Sequence, residues 1–340
     1  MKVSIIIPAY NAERYIKLCL NSTIKQTLDN SQYEIIVIND SSKDKTLGVI
    51  KKFLNKFNNF LIINNNKTQG PGISRNKGLR LSRGKYIFFL DSDDYIDQNA
   101  IKILYERAVK YNADVVGYNF SKIINNKHIL KCRKDINKIT LNKKKLVKNF
   151  LYNEMDGSVI YSFIKKKIII ENKISFKRGL HEDILFIFKV YFFSKKIIKY
   201  NKDLYFKINR STSILNNFTV LRILDLLKAF KDVYIFLNKK NKILGKKYFK
   251  IYIRGLVGCV GAFLIQNFKY CLKKRKVRYK NYLIIYRSIK NDFKKVVLPN
   301  ITFRDKITKA YYEEFSRIKN SNKSIINYEN RYKKIELIKH

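Results

Sequence analysis

The chain has 340 residues, 46% of them hydrophobic and 29% charged, and 72 Lys and Arg against 26 Asp and Glu give a formal net charge of +46. That hydrophobic fraction excludes intrinsic disorder, and the length allows one large core or two modest ones. The four cysteines (Cys19, Cys132, Cys259, Cys271) form no C-x-x-C pair, so reduced thiols are expected in place of a disulfide frame or zinc site.

The opening apolar run, Val3 to Ala9, is too short for a secretory leader, and no signal peptide is expected. The longest uncharged apolar stretch, Gly255 to Ile265, falls well short of the ~20 residues that span a bilayer. The excess of positive charge favours an anionic surface or polyanionic partner. Lys and Asn are also abundant throughout, so a compositional habit stays open as the alternative.

In chain order, Val3 to Ile7 reads as a first buried strand, stopped at Pro8, and residues 12–25 carry apolar positions at helical spacing. Residues 34–38 form a second strand that ends in Asn39-Asp40-Ser41-Ser42. Residues 45–57 read as a helix with Leu47, Ile50, Leu54 and Phe57 on one face. A third strand over 60–63 and a helix over 72–81 follow, then a fourth strand from Ile87 to Leu90 and a further strand over 114–120. Strands separated by helices of this length predict right-handed crossovers and an α/β fold with a mostly parallel sheet.

The fourth strand runs into Asp91-Ser92-Asp93-Asp94. Unpaired carboxylates cannot lie in the core, so the group is expected in the crevice beyond the C-terminal edge of the sheet. Asp91 and Asp93 suit a hard, oxygen-preferring cation, Mg²⁺ or Mn²⁺, that holds a phosphorylated ligand. Asp94 is expected to cap the helix that follows. Polar residues stand at the other strand ends as well: Tyr10 and Asn11, Asp40, and the loop Thr68 to Gly72. After that loop, Ser74, Arg75, Asn76 and Lys77 open a helix suited to phosphate. The G-P-G element is neither a dinucleotide fingerprint nor a P-loop.

Together the strings VSIIIPAYNAERYI, EIIVINDSSKDKT, NNNKTQGPGISRNKGLRLSRGKYIFFLDSDDYI and LHEDILF resemble family 2 glycosyltransferases of the GT-A fold. The resemblance implies that Tyr10 and Asp40 contact a nucleobase, with Pro8 shaping the pocket and Arg75 near the base or pyrophosphate. It assigns Asp91 and Asp93 to the metal that grips the donor diphosphate. It also makes Asp183 the general base, with Glu182 orienting acceptor or loop; the alternative is that both acids load a helix N-terminus. His181 reads as a surface or capping residue. Lys207 and Arg210, in a segment that resembles the close of the catalytic domain, become pyrophosphate candidates.

The implied organisation is a GT-A domain over 1–215 and a helical, strongly basic region over 216–340. The latter holds the cluster Lys273-Lys274-Arg275-Lys276 beside tyrosines. This reads either as a surface that brings the enzyme to a lipid-linked acceptor or as a solvated helical face. The implied activity is metal-dependent, inverting transfer from a nucleotide sugar, UDP-linked, to a saccharide in surface polysaccharide, lipooligosaccharide or capsule assembly. A cytoplasmic location is expected, with the inner face of the cytoplasmic membrane as an open alternative. A nucleic-acid-binding protein is the rival from charge alone, but no such motif occurs and no nucleic acid is expected as partner. A sugar nucleotidyltransferase is the second rival, and it lacks its Gly-rich loop after the first strand.

Overall fold

The computed structural model describes residues 1–124, 127–130, 158–208 and 220–240. Arg210, the boundary near residue 215, Cys132, Cys259, Cys271 and the cluster 273–276 lie outside the described residues.

Strand β1 (Val3–Ala9) is buried along its whole length, because it lies between β2 (Tyr33–Asn39) and β4 (Tyr86–Phe89) and both faces of the sheet are covered. Strand β3 (Phe60–Asn64) pairs with β2 at the outer edge and is only partly buried. All three pairings are parallel. The crossovers are α1 (Ile16–Ile24), α2 (Thr46–Lys51) and α3 (Pro71–Leu81).

Two helices differ from the sequence expectation. The first starts at Ile16, not residue 12, because the Ala12 carbonyl accepts from Tyr15 and Ile16 in a turn that follows the positive φ of Asn11. The second ends at Lys51 and resumes as a single 3₁₀ turn over Leu54–Lys56. That break rotates the pattern: Leu54 becomes exposed, while Phe53 and Phe57 fill the core.

The second half of the chain completes the sheet as β5 (Tyr95–Ile96), β6 (Val115–Ile124), β7 (Lys127–Leu130), β8 (Ser162–Lys165) and β9 (Ile197–Ile208). The order is β3-β2-β1-β4-β8-β6-β9-β5, with β7 on β6. Strand β8 is antiparallel to both β4 and β6, β9 is parallel to β6, and β5 returns antiparallel on β9. The parallel character is thus complete in the first four strands and mixed beyond them. Helices α4 (Ala100–Lys110), α5 (Lys166–Glu171), α6 (Glu182–Phe193) and α7 (Val220–Lys240) complete the described residues. Among them no helix is long and apolar enough to cross a membrane.

Candidate active site

The loops after β1 and β2 are fastened to each other, and this shapes one wall of the crevice. Asn11 donates its N–H to Ser42 Oγ (3.1 Å) and its Oδ1 accepts from Lys43 N (2.9 Å). Ala12 N donates to Thr46 Oγ1 (2.7 Å), and Glu13 Oε2 accepts from Lys45 N (2.9 Å). Side-chain acceptors of this kind satisfy loop N–H groups that no strand partner reaches. Tyr10 stands half-exposed on this wall, and Pro8 is buried in β1 opposite Ile38.

Asp40 is buried and its carboxylate faces the third loop. It accepts from Asn65 Nδ2 (2.7 Å), Gln69 N (3.0 Å) and Gly70 N (2.8 Å). Asn65 in turn accepts from Lys77 Nζ at 2.8 Å. Asp40 therefore holds the loop that leads into α3, a role that its sequence context did not reveal. Gly70 takes a φ of 89° there, a left-handed conformation that glycine adopts without strain.

Arg75 is the hub. It lies on the buried side of α3, only 4% exposed at its side chain, 5.6 Å over the Phe176 ring. Its Nη2 reaches Asp91 Oδ1 at 2.8 Å, and its Nη1 reaches Glu182 Oε1 (2.7 Å) and Asp183 Oδ1 (3.1 Å). Burial alone would lower its pKa, but Asp183, Asp91 and Glu182 together outweigh that and raise it. The geometry joins the acid loop after β4 to the acid pair more than ninety residues later. Arg75 is thus placed among carboxylates, one of them Asp91 of the acid loop.

Asp91, Asp93 and Asp94 place one carboxylate oxygen each within 4.8 Å of one another. Asp94 departs from expectation, since the next helix begins only at Ala100, beyond β5, and its cap residue is Asn99. Instead, Asp94 is 1% exposed and accepts from Tyr205 Oη (2.7 Å) and Ile208 N (2.9 Å) of β9. Burial first, and then the charge of Asp91, push its pKa up to about 7. Tyr205 Oη also accepts from Asp91 N at 3.3 Å, so β9 braces both ends of the acid loop. Lys207 lies near enough to draw the Asp94 pKa downward. An all-oxygen donor set fits a hard divalent cation. Within that set Asp94 is engaged by β9 and Asp91 by Arg75. Beneath the loop, burial first and then Asp94 and Asp91 push the Cys19 thiol well up, which leaves it protonated and inert.

Glu182 and Asp183 open α6, as the sequence predicts for a helix N-terminus. Their environments differ. The Glu182 side chain is 8% exposed and burial, then Asp183, push its pKa up to about 7 against the pull of Arg75. Asp183 is 18% exposed, with Oδ2 accepting from Ser158 Oγ (2.9 Å) and Val159 N (3.3 Å). A Cβ on Gly72 would lie 2.8 Å from Glu182 Cγ, so only glycine lets α3 approach the pair this closely. His181 occupies the N-cap position but makes no capping side-chain bond. Ser158, Asn65 and Tyr205 were not visible as site residues in the sequence, because each acts through a partner far along the chain.

Residues 4–172 match the family model described as Glycosyl transferase family 2. The chain is 32% identical over 220 residues to poly(ribitol-phosphate) beta-glucosyltransferase of Bacillus spizizenii, which covers 62% of this chain and 33% of that protein. It is 29% identical over 232 residues to cholesterol galactosyltransferase of Borreliella burgdorferi, covering 65% of this chain and 63% of that one. It therefore spans less than two thirds of the length of either relative. The crystal structure of S. aureus TarS 1-349 in complex with UDP superposes with a TM-score of 0.58 at 24% identity, over 70% of this chain and 66% of that chain, a likeness of fold. The fold is GT-A-like, and the matched segment contains Asp40, Arg75, Asp91 and Asp93. With sequence match, fold and acid loop in agreement, residues 4–172 belong to glycosyl transferase family 2.

Proposed function

We propose that this protein transfers a sugar, with inversion and with Mn²⁺ or Mg²⁺, from a nucleotide diphosphate sugar to a saccharide acceptor in surface-glycan assembly. The observation that carries the reading is the Arg75 hub, which brings Asp91 of the acid loop and Asp183 of the helix start onto one guanidinium. Asp91 and Asp93 would hold the cation, which when bound neutralises the diphosphate leaving group. Tyr10 and Pro8 would line the nucleobase pocket, with Asp40 acting through the loop it fastens. Lys207, and Arg210 beyond the described residues, would meet the pyrophosphate.

Asp183 takes the proton of the acceptor hydroxyl as that oxygen bonds to the anomeric carbon and the bond to the diphosphate breaks. Ser158 Oγ and Val159 N occupy Oδ2, Arg75 takes one site on Oδ1, and the second lone pair of Oδ1 is left for the acceptor proton. Glu182, deeper and with a raised pKa, fixes Arg75. A UDP sugar is the donor of choice, supported by the TarS complex with UDP. A surface polymer is the acceptor class, supported by the poly(ribitol-phosphate) relative; capsule and lipooligosaccharide belong to the same class. The reaction would run in the cytoplasm, at the inner membrane face if the acceptor is lipid-linked.

The test is a donor screen by nucleotide diphosphate release, with Mn²⁺ and with chelator. Turnover of a UDP sugar is expected only with the metal. Asp93→Asn should weaken donor binding, whereas Asp183→Asn should keep donor affinity and lose at least ~10²-fold in transfer. Unchanged turnover in either variant removes that residue from its role.

A further inference from the structure

The turn that delivers Glu182 and Asp183 has a support from much later in the chain. The His181 and Leu180 N–H groups precede α6, where helix starts leave donors in need of partners. Both donate to a single oxygen, Asp225 Oδ2 of α7, His181 at 3.0 Å. Gly179, just before them, has a φ of +154° and lies against the same carboxylate: a Cβ there would come within 2.8 Å of Oδ2 and 3.0 Å of Oδ1. A glycine seat, two converging donors and a negative charge at the positive end of a helix describe a built carboxylate socket.

Asp225 reaches that socket from a docked helix. Asp225, Ala229, Asp232 and Phe236 recur at three- and four-residue steps, which places them along one side of α7. Val233 and Leu237 are buried, and Phe236 meets the Phe188, Phe192 and Phe193 rings of α6 at centroid distances of 6.1, 5.2 and 5.8 Å. Asp232 makes a second link, 2.8 Å to Lys177 Nζ, but Lys177 is more than half exposed, so solvent screens that pair.

We propose that Asp225 is the positioning residue of the acid turn, holding residues 179–181 so that Asp183 keeps its place between Arg75 and Ser158. This rests on the reading of Asp183 as the base, and it assigns Asp225 of α7 to the support of that base. A displacement of about 1 Å at a reacting group can cost ~10²-fold in rate, so the effect belongs in kcat and not in donor binding.

The experiment uses the full chain and reads two quantities: amide hydrogen exchange at Leu180 and His181, and kcat and KM for a UDP sugar with Mn²⁺. Asp225→Ala is expected to lose protection at both amides and ~10- to 10²-fold in kcat, with the donor KM held within about twofold. Asp225→Asn keeps an acceptor oxygen and should restore most of both. Asp232→Ala, which cuts only the screened link, should match the wild type. Gly179→Ala drives a methyl group into the socket and should reproduce the Asp225→Ala loss, which keeps the test open if Asp225→Ala does not fold. Wild-type protection and kcat in Asp225→Ala overturn the proposal. So does an equal loss in Asp232→Ala, which would mean general undocking of the helix. If the wild type turns over no nucleotide sugar, the transferase reading falls, while amide exchange still decides whether Asp225 holds the turn.

Discussion

Arg75 gathers three carboxylates in a nearly dry position, and removing it would leave all three facing one another. Breaking a buried pair by deleting one partner typically costs about 3–5 kcal/mol. Arg75→Met is therefore expected to lose stability on that scale in denaturant unfolding, with partial recovery at low pH as the acids protonate. Arg75→Lys keeps the charge but not the fork that reaches Asp91 with one nitrogen and the acid pair with the other. Glu182 gives a second test. Its pKa rises from 4.5 to about 7 on folding, so between those values the folded chain holds a proton that the unfolded chain has released. Its contribution to stability is complete below pH 4.5 and is lost as pH rises through about 7. Glu182→Gln retains an acceptor for Arg75 and should flatten the fall in melting temperature from pH 5.5 to 7.5 relative to wild type. An unchanged slope would mean that Glu182 ionises normally. The acids were legible in the sequence because clustered carboxylates in so basic a chain call for a cause. Their partners were not: nothing local to Asp94 reveals that Tyr205 and Ile208 N return to it, and so it read as a cap.

At the scale of elements, the close approach of α3 to the sheet goes with the burial of Arg75 on that helix. Gly78 makes that approach possible, since a Cβ there would lie 2.5 Å from Ile6 Cγ2 and 3.0 Å from Ile38 Cδ1. Gly78→Ala should lift the helix and cost about 1–3 kcal/mol, the usual scale of overpacking, read as a lower unfolding midpoint at an unchanged slope. A variant as stable as the wild type would show that β1 and β2 side chains can yield. The parallel strands and α3 were readable because buried apolar runs and helical spacing are local signals. The phase of residues 45–57 was not, because an early helix end shifts every later position, and Leu54 moved outward while Phe53 moved in. Short strands such as β5 and β8 have too few residues to declare a period, and only their pairing defines them.

For the whole molecule, the strand order carries a consequence in time. Strand β4, Tyr-Ile-Phe-Phe, pairs with β1 on one side as soon as the first ninety residues exist, but its other neighbour is β8 at Ser162–Lys165. Synthesis at about 5–20 residues per second leaves roughly 4–15 s in which an aromatic, fully apolar edge has no native partner. Such an edge is a template for pairing with other chains. The nascent protein therefore passes through a vulnerable interval fixed by its own topology, which ends when β8 inserts between β4 and β6. A ribosome pause placed after β8 has emerged would be harmless, whereas a pause with β4 outside the ribosome and β8 still inside would prolong the exposure and draw on chaperones.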